Sequence, residues 1–271
     1  MISFPNCKIN IGLQVSGTRA DGYHDLQSVF YPVTIRDALE IIDAPPTSDD
    51  VFSTSGIPVE GNSENNLCLK ALHLFKNKFP RLPALRMHLH KAIPTGAGLG
   101  GGSADAAFTL QLINKKYSLG LSVEELKDYA GELGSDCPFF ILNKPCFASG
   151  RGEILEEVTI DLSNHKILVV NPGIHINTGW AFSLLDNPRT PGKLKYYINL
   201  PIGTWRQNIF NDFETPLFLV HPEIGNVKEY LYRAGASYAS MSGSGSSLYG
   251  IFEKGATPEI NFPAHYFCKW V

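Results

Sequence analysis

No stretch of these 271 residues approaches the ~18 uninterrupted apolar positions that a membrane-spanning helix needs, so no bilayer insertion is expected. The opening M-I-S-F-P-N-C-K-I-N is broken by Lys8 and Asn10 before an apolar run can form. It does not read as a signal peptide, and a cytoplasmic location is expected. The cysteines (Cys7, Cys68, Cys137, Cys146 and Cys268) are odd in number and include no C-x-x-C pair. Neither a disulfide framework nor a zinc site is therefore expected, only reduced thiols. Positive charge is also short: 23 Lys and Arg stand against 26 Asp and Glu, a net charge of −3. That argues against a nucleic-acid partner gripped by a broad basic surface, though not against a local phosphate pocket. Fixed-period repeats and low-complexity tracts are missing too. What is present, 44% hydrophobic and 18% charged residues, suffices for a packed core in one large domain or two modest ones.

The hydrophobic pattern alternates between two periods. Ile9, Ile11, Leu13 and Val15 recur at every second position, which predicts a strand; residues 18–25 break it as a turn, and strand character resumes over 26–43. Residues 44–64, rich in Pro, Ser and Asp, predict loop with short strands. Leu67, Ala71, Leu74 and Phe75 fall at helical spacing, with Asn65 or Asn66 as cap and Pro80 and Pro83 beyond the end. Residues 84–91 alternate again. A helix is predicted from Ala104 to about Tyr117, and another from Ser122 to Leu133, where Ser122 and Glu125 make an S-x-x-E capping box. Strands are expected within 153–170, loops and helices over 171–233, and strands again around a Gly/Ser-rich segment at 240–250.

The segment P-T-G-A-G-L-G-G-G-S-A-D-A-A at 94–107 carries the strongest chemical signal. Five glycines fall between Gly96 and Gly102, after a strand and before a helix. Glycine permits left-handed backbone and close approach, and a helix N-terminus presents unpaired N–H groups and a positive dipole end. Together they form a cradle for phosphate, to which Ser103 adds a hydroxyl. The Walker pattern is absent because no lysine follows the last glycine. Gly96, Gly98 and Gly101 satisfy G-x-G-x-x-G, but no acidic residue ends a second strand ~20 positions on, as a dinucleotide site requires. H-R-D and D-F-G are also missing.

The same segment closely resembles the central motif of the GHMP kinases, the family of galactokinase, homoserine kinase, mevalonate kinase and phosphomevalonate kinase. P-N-C-K-I-N at 5–10 resembles the family's first motif, and M-S-G-S-G-S-S at 241–247 its third. R-A-D-G-Y-H-D-L-Q-S-V-F at 19–30, G-S-D-C-P-F-F at 134–140 and N-D-F-E at 211–214 are similar to one branch, which phosphorylates a sugar alcohol carrying a cytidine diphosphate group. Cys7, Ser135 and Cys137 stand where that branch usually has alanine, alanine and valine, and none of these removes a reactive group.

The resemblance implies a two-domain α+β fold: a ribosomal-protein-S5-like ATP-binding domain at 1–152 and a ferredoxin-like substrate domain at 153–271. It implies ATP-dependent phosphorylation of the substrate's 2-hydroxyl, in the non-mevalonate route to isoprenoid precursors. ATP would bring Mg²⁺ with it, for which no protein ligand is assigned. Nucleotide contacts map to Pro94, Thr95, Gly96, Ala97, Gly98, Leu99, Gly100, Gly101, Gly102, Ser103 and Ala104, with Asn66, Leu67 and Lys91 nearby. Asp136 maps to the catalytic base and Lys8 to its cationic partner. Asn10, Tyr23, His24, Thr178 and Phe182 map to the substrate, Tyr23, His24 and Phe182 to its cytosine. Without the resemblance, Asp136 reads as a turn residue after a helix-ending glycine, Lys8 and Lys91 as solvated strand lysines, and Tyr23 and His24 as turn residues. Two alternatives stay open: a GHMP kinase acting on mevalonate or homoserine, and a non-catalytic nucleotide-binding protein on the same scaffold.

Overall fold

The structure is a computed structural model and describes residues 1–18, 24–45, 48–59, 65–185 and 192–271. In chain order the strands are β1 (Ile2–Ser3), β2 (Asn6–Thr18), β3 (His24–Arg36), β4 (Ala38–Asp43) and β5 (Val51–Gly56). Then come α1 (Leu67–Lys78), β6 (Leu85–Lys91), α2 (Gly101–Lys116), α3 (Val123–Leu133), α4 (Cys137–Leu142), β7 (Cys146–Ser149), β8 (Ile154–Glu157) and β9 (His165–Asn171). The short helices α5 (Thr178–Ser183), α6 (Leu194–Tyr197) and α7 (Trp205–Asn208) lead to α8 (Glu214–Val220), α9 (Pro222–Arg233), β10 (Tyr238–Met241), β11 (Leu248–Glu253) and β12 (Phe267–Trp270). No helix among the described residues is long and apolar enough to cross a membrane.

The chain divides into two compact units that interleave in sequence. The first comprises Met1–Cys7, Thr34–Thr95 and Gly100–Lys144; the second comprises Lys8–Val33, Gly96–Leu99 and Pro145–Val271. The second unit takes Lys8–Val33 because β3 pairs with β7 in the sheet β2-β3-β7-β8.

In the first unit the sheet runs β1-β4-β6-β5, with β5 parallel to β6 and the other pairs antiparallel. Leu85, Met87, Leu89 and Lys91 of β6 are buried while the positions between them are more exposed, the two-residue period of a half-covered strand. Asn66 caps α1 by accepting the Cys68 N–H at 2.9 Å, and Ser122 and Glu125 form the expected capping box of α3. Helix α2 starts three residues before the sequence reading placed it. Gly100 turns in the left-handed region (φ 68°), and the helix begins directly after it. Gly101 belongs to the first turn because a Cβ there would come within 2.9 Å of Ile93. Helix α4 was not foreseen: C-P-F-F-I-L is too short and too uniformly apolar to show a period, and its proline fits the first helical turn.

In the second unit a second sheet, β10-β11-β9-β12, is antiparallel throughout. Its inner face, with Leu168, Val170, Ala239, Met241, Leu248 and Phe252, packs with Leu217, Ile224, Val227 and Leu231 of α8 and α9 in one apolar core.

Candidate active site

In the second unit the three motifs of the sequence converge on one hydrogen-bonded cluster. Lys8 is only 4% exposed although it lies on a strand whose polar phase reads as solvated; β2 is covered on both faces. Its Nζ donates to Asn10 Oδ1 and lies 4.6 Å from the centre of the Phe30 ring. Asn10 donates through Nδ2 to Ser28 Oγ at 2.9 Å and through its backbone N–H to Ser242 Oγ at 3.1 Å. Ser242 in turn donates to the Gly98 carbonyl at 2.8 Å, and the Lys8 N–H donates to the Leu99 carbonyl at 2.9 Å. One polar chain thus runs from the first motif through the third to the glycine-rich loop.

The two glycine-rich segments also touch backbone to backbone. Gly98 has φ +76°, and a Cβ on it would lie 2.0 Å from the Ser242 carbonyl oxygen; a Cβ on Gly243 would lie 3.2 Å from Gly98. These glycines are required by the approach of one protein loop to another.

The N-D-F-E segment holds the third motif in place. Asn211 Nδ2 donates to the Met241 and Gly243 carbonyls at 2.9 and 2.8 Å. The buried Glu214 accepts the Met241 N–H at 2.8 Å, the Ser240 hydroxyl at 2.9 Å and the Lys228 ammonium at 2.6 Å. Glu214→Ala would strand all three donors; breaking such a buried pair costs about 3–5 kcal/mol. Urea unfolding should register that loss, with Glu214→Gln losing less because its amide oxygen can still accept from Met241. Equal stability of all three proteins would contradict the scaffolding role.

The substrate residues carried over by resemblance fall in this unit where they are described. The His24 and Phe182 rings stack with centroids 4.6 Å apart and planes 17° apart, and Phe182 packs edge-on against Phe213 of N-D-F-E at 4.9 Å. Thr178, in the first turn of α5, shares a 3.1 Å hydroxyl contact with Ser244. Tyr23 lies outside the described residues.

The first unit holds Asn66, Leu67, Lys91, Pro94, Thr95, Gly100–Ala104 and Asp136. Asp136 is half-buried at the cap position of α4, yet its side chain makes no capping bond. The capping task that its position suggests is therefore not its task. Its neighbour Cys137 is buried, which pushes its thiol up to about 12, and Ser103 at the end of the glycine loop is its hydrogen-bond partner. That thiol is neutral and inert at ordinary pH.

Lys91 is not the solvated strand lysine that its residue type suggests: it is 2% exposed, and its ammonium is engaged by Asp37 and, at 2.7 Å, by Asp105. Parity along β6 could have shown this, since Lys91 shares its phase with Leu85, Met87 and Leu89. Asp37 and Asp105 were not singled out from sequence at all.

Comparisons with known proteins agree with this geometry. The GHMP kinases N terminal domain matches residues 66–144, and the GHMP kinases C terminal domain residues 200–260. A 4-diphosphocytidyl-2-C-methyl-D-erythritol kinase of Bacteroides thetaiotaomicron is 46% identical, the alignment covering 99% of this chain and 98% of that one. The enzyme of that name from Azobacteroides pseudotrichonymphae is 47% identical over 98% and 100%. A crystal structure of 4-(cytidine 5'-diphospho)-2C-methyl-D-erythritol kinase superposes with a TM-score of 0.78 at 28% identity, covering 93% of this chain and 90% of that one. With two family domains in order and near-complete alignment to such relatives, the chain belongs to the GHMP kinases, on the branch of the 4-diphosphocytidyl-2-C-methyl-D-erythritol kinases.

Proposed function

We propose that this protein transfers the γ-phosphoryl group of ATP to the 2-hydroxyl of 4-diphosphocytidyl-2-C-methyl-D-erythritol, in the non-mevalonate route to isoprenoid precursors. The observation that carries this is 46% identity across 99% of the chain to a kinase of that name. The division at residue 152 separates the two family domains, but the compact units group Lys8–Val33 with Pro145–Val271, so substrate contacts are drawn from both sides of that division.

Phosphoryl transfer needs held phosphates, an aligned nucleophile and stabilisation of developing charge. The backbone N–H groups of Gly96–Gly102, the Ser103 hydroxyl and the start of α2 hold the phosphates. Leu67 packs beside the adenine. Asn66 Oδ1 is committed to capping α1, so its Nδ2 is the group it offers to the base. Asp136 accepts the proton of the attacking hydroxyl, and Lys8 stabilises the oxygen as it becomes anionic. Among the described residues no group of three His, Cys, Asp or Glu is gathered as a metal site. Mg²⁺ would come with the ATP phosphates and supply neutralisation of their charge, and no residue of this chain is assigned to hold it.

Cytosine recognition falls to Tyr23, His24 and Phe182. A pyrimidine lying between His24 and Phe182 would have to open their 4.6 Å spacing to about 7 Å, two contact distances of roughly 3.5 Å. Base stacking on an aromatic ring is worth about 1–3 kcal/mol. Phe182→Ala should therefore raise KM for the cytidyl substrate roughly five- to hundredfold and leave KM for ATP unchanged. An unaltered cytidyl KM in a folded variant would remove Phe182 from the site.

A coupled ADP-release assay with the cytidyl substrate, mevalonate and homoserine tests the whole assignment. Turnover of mevalonate or homoserine without the cytidyl substrate would overturn the substrate, and turnover of none would overturn the enzyme.

A further inference from the structure

The glycine loop is tethered at both ends to one buried ionic cluster. At its entry, Asp37 Oδ1 accepts the N–H groups of Ala92 and Ile93 at 2.6 and 2.9 Å, and Asp37 Oδ2 accepts from Lys91 Nζ. At its exit, Asp105 in the early turns of α2 accepts from the same Lys91 Nζ at 2.7 Å. Asp37 is itself placed by its own N–H, which donates to the Pro5 carbonyl at 2.8 Å. Gly101, the first residue of α2, rests on the cluster: a Cβ there would stand 3.4 Å from Lys91 Nζ. The three side chains are at most 4% exposed. The second oxygen of Asp105, Oδ1, is buried without a hydrogen-bond partner.

Two carboxylates share one ammonium here, and their surroundings are unequal. Asp37 has two backbone N–H donors as well as Lys91, so both of its oxygens are hydrogen-bonded. Asp105 has one charged donor, a bare oxygen and the Asp37 carboxylate facing it. Burial, partly opposed by Lys91 and reinforced by Asp37, pushes its carboxyl up to about 8. A further titratable neighbour, the Cys68 thiol from α1, is driven well up by burial and stays neutral.

We propose that Asp37, Lys91 and Asp105 are the positioning device of the phosphate loop, with Asp105 its neutral, proton-carrying member. Charge balance carries this: with Asp105 protonated, the cluster beneath the α2 N-terminus is neutral. With Asp105 ionised it is net negative, and a buried anion then sits under the place where phosphates bind. The proposal rests on the assignment of residues 94–104 to the ATP phosphates.

KM for ATP should accordingly rise several-fold as pH climbs through the Asp105 transition, with kcat at saturating ATP little affected. Asp105→Asn, neutral at every pH, should bind ATP within about twofold of the unaltered protein at pH 7 and lose the rise. Lys91→Met should raise KM for ATP at least ~10-fold at pH 7, because it leaves Asp37 without its cation. Stability has the same sign. A carboxyl whose folded pKa is raised contributes stability that is fully present below its unfolded pKa and lost as pH rises through the folded one. The melting temperature of the unaltered protein should thus fall over that window more than that of Asp105→Asn.

The experiment measures ATP affinity by calorimetry, alongside KM, kcat and melting temperature, for the unaltered protein, Asp105→Asn and Lys91→Met from about pH 6 to 9. A rise in KM that Asp105→Asn abolishes supports the device. Parallel KM profiles for the unaltered protein and Asp105→Asn would overturn it while ATP binding and turnover stand. Failure of the unaltered protein to bind ATP at all would overturn the kinase assignment and this proposal together.

Discussion

Asp136→Asn is expected to lower turnover by roughly 10²–10⁴-fold, the usual worth of a general base, while ATP affinity survives. Asparagine keeps the shape and the acceptor oxygen but cannot take the proton of the attacking hydroxyl. The helix should not suffer, since the Asp136 side chain does not cap α4. Lys8 calls for a different substitution. It is buried, bonded to Asn10 and set over Phe30, so alanine would open a cavity and confuse catalysis with packing. Lys8→Met keeps the bulk and removes the charge. It should also cut turnover, and the double variant should be little worse than either single one, because groups that act on one proton transfer fail together. Single-turnover rates, ATP affinity and melting temperature for the three variants separate this from the structural alternative, in which effects on stability simply add. A folded Asp136→Asn protein with near-normal turnover would refute the assignment.

Much of the architecture was legible because local rules and tertiary packing agree. Asn66 caps α1, the Ser122–Glu125 box starts α3, and the alternation in 84–91 becomes β6. What sequence could not give was the consequence of covering a strand on both faces. Lys8 and Asn10 occupy the polar phase of β2, which reads as solvent-facing, yet both are buried in a hydrogen-bonded chain. Lys91 is the reverse case: its parity with Leu85, Met87 and Leu89 points inward although its charge reads as solvated. Its partners Asp37 and Asp105 lie 54 and 14 residues away in sequence, separations at which nothing local signals a pairing. The glycines of 94–102 looked like one ligand cradle. In the fold they do at least two jobs, and only contact geometry tells them apart.

That difference gives the second large expected effect. Gly98→Ala should abolish ATP binding and lower the melting temperature. Its φ of +76° lies in the left-handed region, which costs an L-residue about 1–2 kcal/mol. The new Cβ would also stand 2.0 Å from the Ser242 carbonyl oxygen and 3.1 Å from that of Gly245. Neither neighbour is a flexible side-chain tip that could swing aside, so the two glycine-rich turns must separate and break the Ser242–Gly98 hydrogen bond. Gly102→Ala is the contrasting case. Gly102 is exposed in the first turn of α2, its φ is unremarkable for a helix, and a Cβ there meets nothing nearer than Leu67 at 3.8 Å. Alanine should hold or raise stability by up to ~1 kcal/mol. Any loss of ATP affinity in that variant then reports the ligand itself, pressed against a backbone that tolerates no methyl group. Thermal melts paired with ATP titrations distinguish the two: Gly98→Ala should lose both, Gly102→Ala only binding. If Gly102→Ala bound ATP as well as the unaltered protein, the phosphates would not approach the loop at that residue.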